Sequence, residues 1–205
     1  RLLHARKFKM AQREIKRLKT YLGRVFRDVL RQVDAVPNLA KRAAPPLVLI
    51  ANLLLQTKDD KSKIYSLHEP HVDCLTKGKA GRKYEFGSKA SIVITHKEGL
   101  VLAAIAHHGA PYDGHILKDA LQKAEQNSGK KIEKAFVDKG YKGHGIKDKE
   151  IYLSGNSRGK SWRLRKDIAR RQSIEPHIGH MKADGKLGLN YLKGKLGDQL
   201  NAILA

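Results

Sequence analysis

The sequence predicts a mixed α/β domain that follows a basic helical hairpin. Two observations indicate this organisation. The first 34 residues carry apolar side chains at alternating gaps of four and three, as on one face of a helix. After residue 62, short apolar runs of strand length alternate with helical patterns, which is typical of α/β and α+β domains. We therefore divide the chain into a helical hairpin at 1–62 and an α/β domain at 63–205.

The amino-terminal segment is expected to form two helices. Residues 2–34 predict the first helix, Pro37 is expected to end that segment, and Pro45 is expected to open a second helix through Gln56. The heptad seam of the first helix has two open interpretations: it packs within the chain, or it pairs two copies in a homodimer. Its members are Phe8, Ala11, Ile15, Leu18, Leu22, Val25 and Val29.

The second part of the chain alternates strand and helix patterns. A basic, glycine-rich loop at 76–82 precedes two predicted strands, 84–95 and 100–107, which a turn at 97–99 joins as a hairpin. A helix is expected over 114–127 with Asp113 as its N-cap. Buried strands are expected at 134–138 and 151–153, a helix with Pro176 inside it at 165–182, and a last helix near the carboxyl end.

The charge balance predicts a polyanionic partner. The 205 residues include 42 Lys and Arg against 20 Asp and Glu, a net charge of +22. Such a surface favours nucleic acid, bound either by a DNA-handling protein or by an RNA-associated one. Cys74 is the single cysteine, so an intramolecular disulfide is excluded. The longest apolar run, residues 47–55, is shorter than the roughly 20 residues of a membrane span.

Two carboxylates stand where metal-dependent chemistry would need them. Asp138 directly follows a predicted buried strand, and the carboxyl ends of such strands are where α/β sheets bind ligands. Glu175 lies on a later helix, with Arg171 and Lys182 on the same face. Carboxylates of this kind hold Mg²⁺ for phosphodiester cleavage, while the cations bind phosphates. A turn residue and a surface ion pair are the alternatives that the spacing leaves open.

Other side chains near this pair are candidates for phosphate or base contacts. Lys139, Tyr141 and Lys142 flank Asp138, and one of them is expected to contact phosphate. Trp162 lies in a basic stretch and is expected either to stack on a base or to pack in the core. The pair His177 and His180 has no further ligand set around it, so zinc is not expected there. The basic loop at 154–160 lacks the order of a phosphate-binding loop, so no nucleotide cofactor is expected.

Several strings in this order resemble DDE transposases of bacterial insertion sequences, in the superfamily with IS4-like and IS5-like enzymes. They are KIYSL from Lys63, YEFGSK from Tyr84, PYDGHIL from Pro111, VDKGYKG from Val137, IEPHIGHMK from Ile174 and the late Asn190-Tyr191-Leu192. The resemblance implies a ribonuclease H-like fold, with the helical hairpin as an insertion. It implies Mg²⁺, with Mn²⁺ as a substitute, and double-stranded transposon-end and target DNA as partners. It also implies action in the bacterial cytoplasm, at the nucleoid when DNA is bound.

The resemblance assigns roles residue by residue. The family's second Asp corresponds to Asp138 and its Glu to Glu175, so both are expected to be catalytic metal ligands. Its Y-x2-R-x3-E-x6-K signature corresponds to Arg171, Glu175 and Lys182, with Ile168 where the family has Tyr. The first Asp, on the opening strand, has no counterpart, so we expect a chain truncated at its amino terminus and inactive alone. A non-catalytic DNA-binding remnant and an unrelated basic RNA-binding protein are the alternatives.

Overall fold

The computed structural model describes residues 5–76, 84–155 and 158–205. They form two compact units, Arg1–Pro70 and His71–Ala205. Among the described residues, no helix is both long enough and apolar enough to cross a bilayer. The predicted loop at 76–82 falls almost entirely outside the described residues. The predicted domain ranges 1–62 and 63–205 stay predictions, because compactness alone does not show independent folding.

The first unit is a hairpin of two helices, α1 (Phe8–Asp34) and α2 (Pro37–Leu55). Two sequence predictions were wrong here. The helix α1 begins at Phe8, later than the predicted range 2–34. The helix α2 begins at Pro37 rather than at Pro45, because proline suits a first turn and Val36 before it is extended. Pro45 and Pro46 therefore lie inside α2 rather than opening it. The ammonium of Lys19 joins the helices by donating to the Leu54 carbonyl oxygen at 3.1 Å.

The heptad seam of α1 lies largely outside the contact with α2. Phe8, Ile15, Leu18 and Val25 are each at least half exposed, whereas Ala11 is buried. The contact with α2 therefore leaves much of the apolar stripe uncovered within the first unit, and the homodimer interpretation stays a prediction.

The strands of the second unit form three separate pairs. The predicted strand at 84–95 is two strands. The strand conformation is interrupted between Gly87 and Lys89, and Gly87 has φ +150°, which favours glycine. The turn at 97–99 joins a hairpin as predicted. The strands are β1 (Asp73–Thr76), β2 (Tyr84–Gly87), β3 (Lys89–Ile94), β4 (Val101–His107), β5 (Lys134–Val137) and β6 (Glu150–Leu153). The pairs β1–β2 and β3–β4 are antiparallel, and β5–β6 is parallel.

In the described part of this mixed α/β unit there are four α-helices: α3 (Asp113–Ser128), α4 (Trp162–Arg170), α5 (Ile174–Ala183) and α6 (Gly194–Leu204). Two predictions were wrong in detail. Asp113 does not cap α3, because Tyr112 is the N-cap residue and the Asp113 carboxylate pairs with Lys89 instead. The single helix expected at 165–182 is broken by a 3-10 turn at Arg171–Ser173, so Pro176 lies in the first turn of α5, where proline is tolerated.

The core is built where α3 and α6 pack on the β3–β4 hairpin. The buried face of α3 consists of Gly114, Ile116, Leu117, Ala120, Leu121 and Ala124. On α6, the amide of Gln199 accepts from the Ala106 N–H and donates to the Ala104 carbonyl, both at 2.9 Å. The Gln199 side chain thereby satisfies backbone groups at the outer edge of β4, which would otherwise lack a strand partner.

Candidate active site

Asp138 is held at the carboxyl end of β5 by its neighbour in the parallel pair. It is the N-cap of the 3-10 turn Lys139–Tyr141, and its Oδ1 accepts from the Lys139 N–H at 2.7 Å. The hydroxyl of Ser154, just beyond β6, donates to the same oxygen at 2.9 Å. Because β5 and β6 are parallel, their carboxyl ends meet, and this register brings Ser154 to Asp138.

These contacts stabilise the ionised form of Asp138. The Ser154 hydroxyl and then the Lys139 N–H lower the pKa of the Asp138 carboxyl, and the charges of Arg171 and Lys139 lower it further. The carboxyl is therefore a carboxylate at neutral pH, as a metal ligand must be. Because the folded-state pKa is lowered, these hydrogen bonds stabilise the fold above the unfolded pKa, and that contribution is lost as pH falls through the folded pKa.

Ser154→Ala is expected to raise the pKa of Asp138, because it removes the hydrogen bond that lowers this pKa most. Carbon-detected NMR titration of the Asp138 carboxyl measures the change directly. Ser66→Ala, which removes a hydroxyl hydrogen-bonded to the Glu69 N–H, is the matched control and should leave the titration of Asp138 unmoved. An unchanged Asp138 titration in Ser154→Ala would show that the hydroxyl does not hold the carboxylate.

Glu175 lies in the first turn of α5, directly after the break in the helical segment. Its side chain is 66% exposed, and its Oε1 lies 3.4 Å from Nη2 of Arg171, one turn earlier. The Arg171 side chain is only 18% exposed, and its buried Nε has no hydrogen-bond partner among the described residues. A buried donor without a partner is costly. The Nη groups of the same guanidinium form the ion pair with Glu175 and are the ones suited to donate to an anion such as a phosphate.

Arg171 links the two predicted carboxylates. Its positive charge lowers the pKa of Asp138, and it forms an ion pair with Glu175. Asp138 and Arg171 also line the same cavity. Arg171 is thus an ion-pair partner of Glu175 and a source of positive charge for Asp138, which lies 37 residues before Glu175 in the sequence.

The position at which the resembled family has tyrosine is occupied here by Ile168, which packs in the core. Ile168 lies in α4 and is only 6% exposed. An isoleucine buried at this point cannot supply a hydroxyl to DNA. The related contact must come from another side chain or be lost.

The sequence profile of the transposase DDE domain matches residues 62–197. The chain belongs to the transposase DDE domain family. A search of curated proteins found no match, and neither did a search of solved structures. Asp138, Arg171 and Glu175 all lie inside the matched range of the transposase domain.

The other predicted DNA-contacting residues of the transposase domain lie in different surroundings. Lys142 and Lys182 are exposed, and the Lys139 side chain lies against Gly155. Trp162 is 71% exposed, with the Lys166 ammonium 5.4 Å from its ring, so the core interpretation of Trp162 was wrong. Tyr141 is half-buried, and burial followed by the charge of Asp113 raises the pKa of its phenol.

Asp113 lies closer to Asp138 than its expected capping role suggested. Its Oδ1 accepts from the Lys89 ammonium at 2.9 Å. Its Oδ2 is so near Gly140 that a Cβ at that position would lie 2.8 Å from it, so a larger residue there would displace the Asp113 carboxylate. The family string around Asp113 was the sequence signal for this proximity. The negative charge of Asp113 is already paired with the Lys89 ammonium.

A cavity of about 520 Å³ lies beside these residues, between β3 and β5. Consecutive residues of both strands line it, Ala90–Thr95 and Lys134–Asp138, rather than alternate ones. Since alternate residues point to opposite faces of a strand, both strands present an edge to the cavity. The opposite edges pair with β4 and β6.

Proposed function

We propose that this transposase domain belongs to the superfamily with IS4-like and IS5-like enzymes and acts in metal-dependent cleavage and strand transfer at transposon ends. Two observations within the region matched by the family support the proposal: Arg171 pairs with Glu175, and its charge lowers the pKa of the Asp138 carboxyl. Double-stranded DNA, as transposon end and as target, is the proposed partner. We accordingly expect the protein to act in the bacterial cytoplasm, where it would associate with the nucleoid.

The donor set suits Mg²⁺, with Mn²⁺ as a substitute. Mg²⁺ prefers oxygen ligands and is commonly held by one or two carboxylates. Both hydrogen bonds that described residues donate to Asp138 fall on Oδ1, so Oδ2 is left for a cation. Glu175 is exposed enough to turn toward the same ion. When bound, the metal would activate the attacking water or hydroxyl and stabilise the leaving oxygen.

The cationic side chains of the site would hold the DNA backbone. The guanidinium of Arg171, through its Nη groups beside Glu175, is suited to bind a phosphate oxygen. Lys139, Lys142 and Lys182 supply further positive charge, and the exposed ring of Trp162 is suited to stack on an unpaired base. Tyr141, being half-buried, is better placed to support Asp138 than to contact phosphate.

The cavity between β3 and β5 supports a ribonuclease H-like arrangement. A strand laid there would pair with both edges and join β3–β4 and β5–β6 into one mixed sheet of five strands. If that strand ran parallel to β5, its carboxyl end would lie beside Asp138. A third carboxylate carried there would complete the set that the family resemblance implies.

We propose that the 205-residue chain binds DNA but does not turn over alone. Among the described residues, Arg171 pairs with Glu175 and influences Asp138 by its charge, and the Asp113 carboxylate is paired with Lys89. A missing ligand misplaces the metal and the nucleophile, which costs most of the rate. The small number of carboxylate ligands also favours a second candidate function: non-catalytic DNA binding, in competition with an intact enzyme. The family match favours both over an unrelated RNA-binding protein.

Cleavage and strand transfer of labelled transposon-end DNA with Mg²⁺ or Mn²⁺ test this proposal, alongside a binding assay on the same DNA. The expected result is binding without turnover. Robust turnover by this chain would contradict the proposed inactivity. Failure to bind the DNA at low salt would contradict the transposase function itself.

Pairing of two copies along the α1 seam also remains a proposal. It is supported by the exposure of Phe8, Ile15, Leu18 and Val25 at heptad spacing, which is self-complementary between parallel helices. Light scattering at moderate salt, where repulsion between the basic chains is screened, distinguishes a dimer from a monomer.

A further inference from the structure

A second cluster of ligand-type side chains lies outside the Asp138–Arg171–Glu175 group. His71 precedes β1, His108 follows β4, and Asp198 lies on α6. One ligand atom from each, a ring nitrogen of either histidine and a carboxylate oxygen of Asp198, lies within 4.8 Å of the other two. All three side chains are about one-fifth exposed, so the cluster is partly shielded from water yet reachable.

Neighbouring groups hold the Asp198 carboxylate in one orientation. Asn190 donates to Oδ1 at 2.8 Å, and the Ser88 hydroxyl donates to Oδ2 at 2.6 Å. Burial alone would raise the pKa of Asp198, but the hydrogen bonds from Ser88, Asn190 and His71 lower it overall. With Oδ1 engaged by Asn190, Oδ2 faces the two imidazoles. Metal-binding carboxylates are commonly oriented by such a neighbour.

The distances match those of a tetrahedral metal site. Zinc bonds of about 2.0–2.1 Å to nitrogen and oxygen place neighbouring ligand atoms roughly 3.3–3.4 Å apart. Here His71 Nε2 lies 3.2 Å from Asp198 Oδ2, and His108 Nδ1 lies 3.6 Å from the same oxygen. Small shifts of the imidazoles would make both distances those of a coordinated ion.

We propose that His71, His108 and Asp198 bind one Zn²⁺ ion, which fastens α6 to the segments flanking β1 and β4. Two imidazoles and one carboxylate are a ligand set that Zn²⁺ accepts, whereas Mg²⁺ prefers oxygen alone. The fourth position falls to a water or to the Ser88 hydroxyl, which also lies 3.1 Å from His108 Nδ1. The three ligands come from separate segments of the chain, which the ion would join.

Titration of the full chain with Co²⁺, a spectroscopic substitute for Zn²⁺, tests the assignment. The expected result is one Co²⁺ per chain with the strong visible absorption of tetrahedral coordination, displaced by Zn²⁺ and unaffected by excess Mg²⁺. Zn²⁺ should also raise the Tm by several degrees, because it binds only the folded chain. Weak octahedral absorption, or a Tm that Zn²⁺ does not raise, overturns the proposal.

Variants locate the ion. His71→Ala and Asp198→Asn are each expected to weaken Co²⁺ binding by about 100-fold or more, since loss of even an orienting neighbour costs about 10–100-fold. His180→Ala is the matched control, because it removes an exposed imidazole that also pairs with a carboxylate, that of Asp184. Circular dichroism establishes that each variant is folded; if Asp198→Asn is not, His71→Ala decides alone. Equal Co²⁺ affinity in His71→Ala and His180→Ala overturns the proposal.

Discussion

Asp138→Asn is expected to weaken Mn²⁺ binding at the candidate active site by about 100-fold or more. Loss of a residue that only orients a metal ligand costs about 10–100-fold in affinity, so loss of the ligand itself should cost at least as much. The substitution keeps the shape of the side chain and its hydrogen bonds with Ser154 and Lys139, but removes the negative charge. Electron paramagnetic resonance of free Mn²⁺ measures the binding. Glu175→Gln is expected to act in the same direction.

The matched control is Asp184→Asn. Asp184 follows α5 directly, is 75% exposed and pairs with His180 four residues before it, much as Glu175 pairs with Arg171. It should leave Mn²⁺ binding unchanged. If Asp138 and Glu175 hold one ion, Asp138→Asn and Glu175→Gln combined should cost less than the sum of the two losses, because residues that share a partner are not additive. Full additivity would indicate two independent ions.

DNA affinity is expected to fall about a thousandfold between roughly 50 and 200 mM salt, the loss typical of a protein that neutralises about six phosphates. The net charge of +22 provides more than enough cations for such contacts. Fluorescence anisotropy with random double-stranded DNA across a salt series measures the slope. Arg171→Ala should reduce that slope by about one unit, as expected for a single phosphate contact.

A shallow salt dependence would contradict this account of the basic surface. Equal slopes for the unaltered chain and Arg171→Ala would place the phosphate contacts elsewhere. Lys182→Ala, near the carboxyl end of α5, provides a second measurement at an exposed cation.

Local patterns predicted much of this fold. The short apolar runs that became β5 and β6 are bounded by charged residues or glycine, and the helical pattern of α3 ends at Gly129, which has the left-handed conformation of a helix C-cap. The placement of Asp138 after a buried strand followed from the same reasoning. Each of these features depends on a few neighbouring residues, which is why they could be read from the sequence.

Features that depend on distant pairing could not be read in this way. The pairing of β1 with β2 was missed because β1 has four residues and little apolar character. His71 and Asp198 lie 127 residues apart, so no spacing rule joins them. The closely spaced His177 and His180, where the sequence predicted no zinc, contact the Ser173 carbonyl and Asp184 respectively.

A crystal structure of the chain soaked in Mn²⁺, with anomalous diffraction used to locate the ion, tests the central claim most directly. We expect an anomalous peak within coordination distance of carboxylate oxygens from both Asp138 and Glu175, with the Arg171 guanidinium beside them. The claim would be contradicted if the carboxylates of Asp138 and Glu175 lay too far apart to contact either one shared ion or the two ions of a two-metal site.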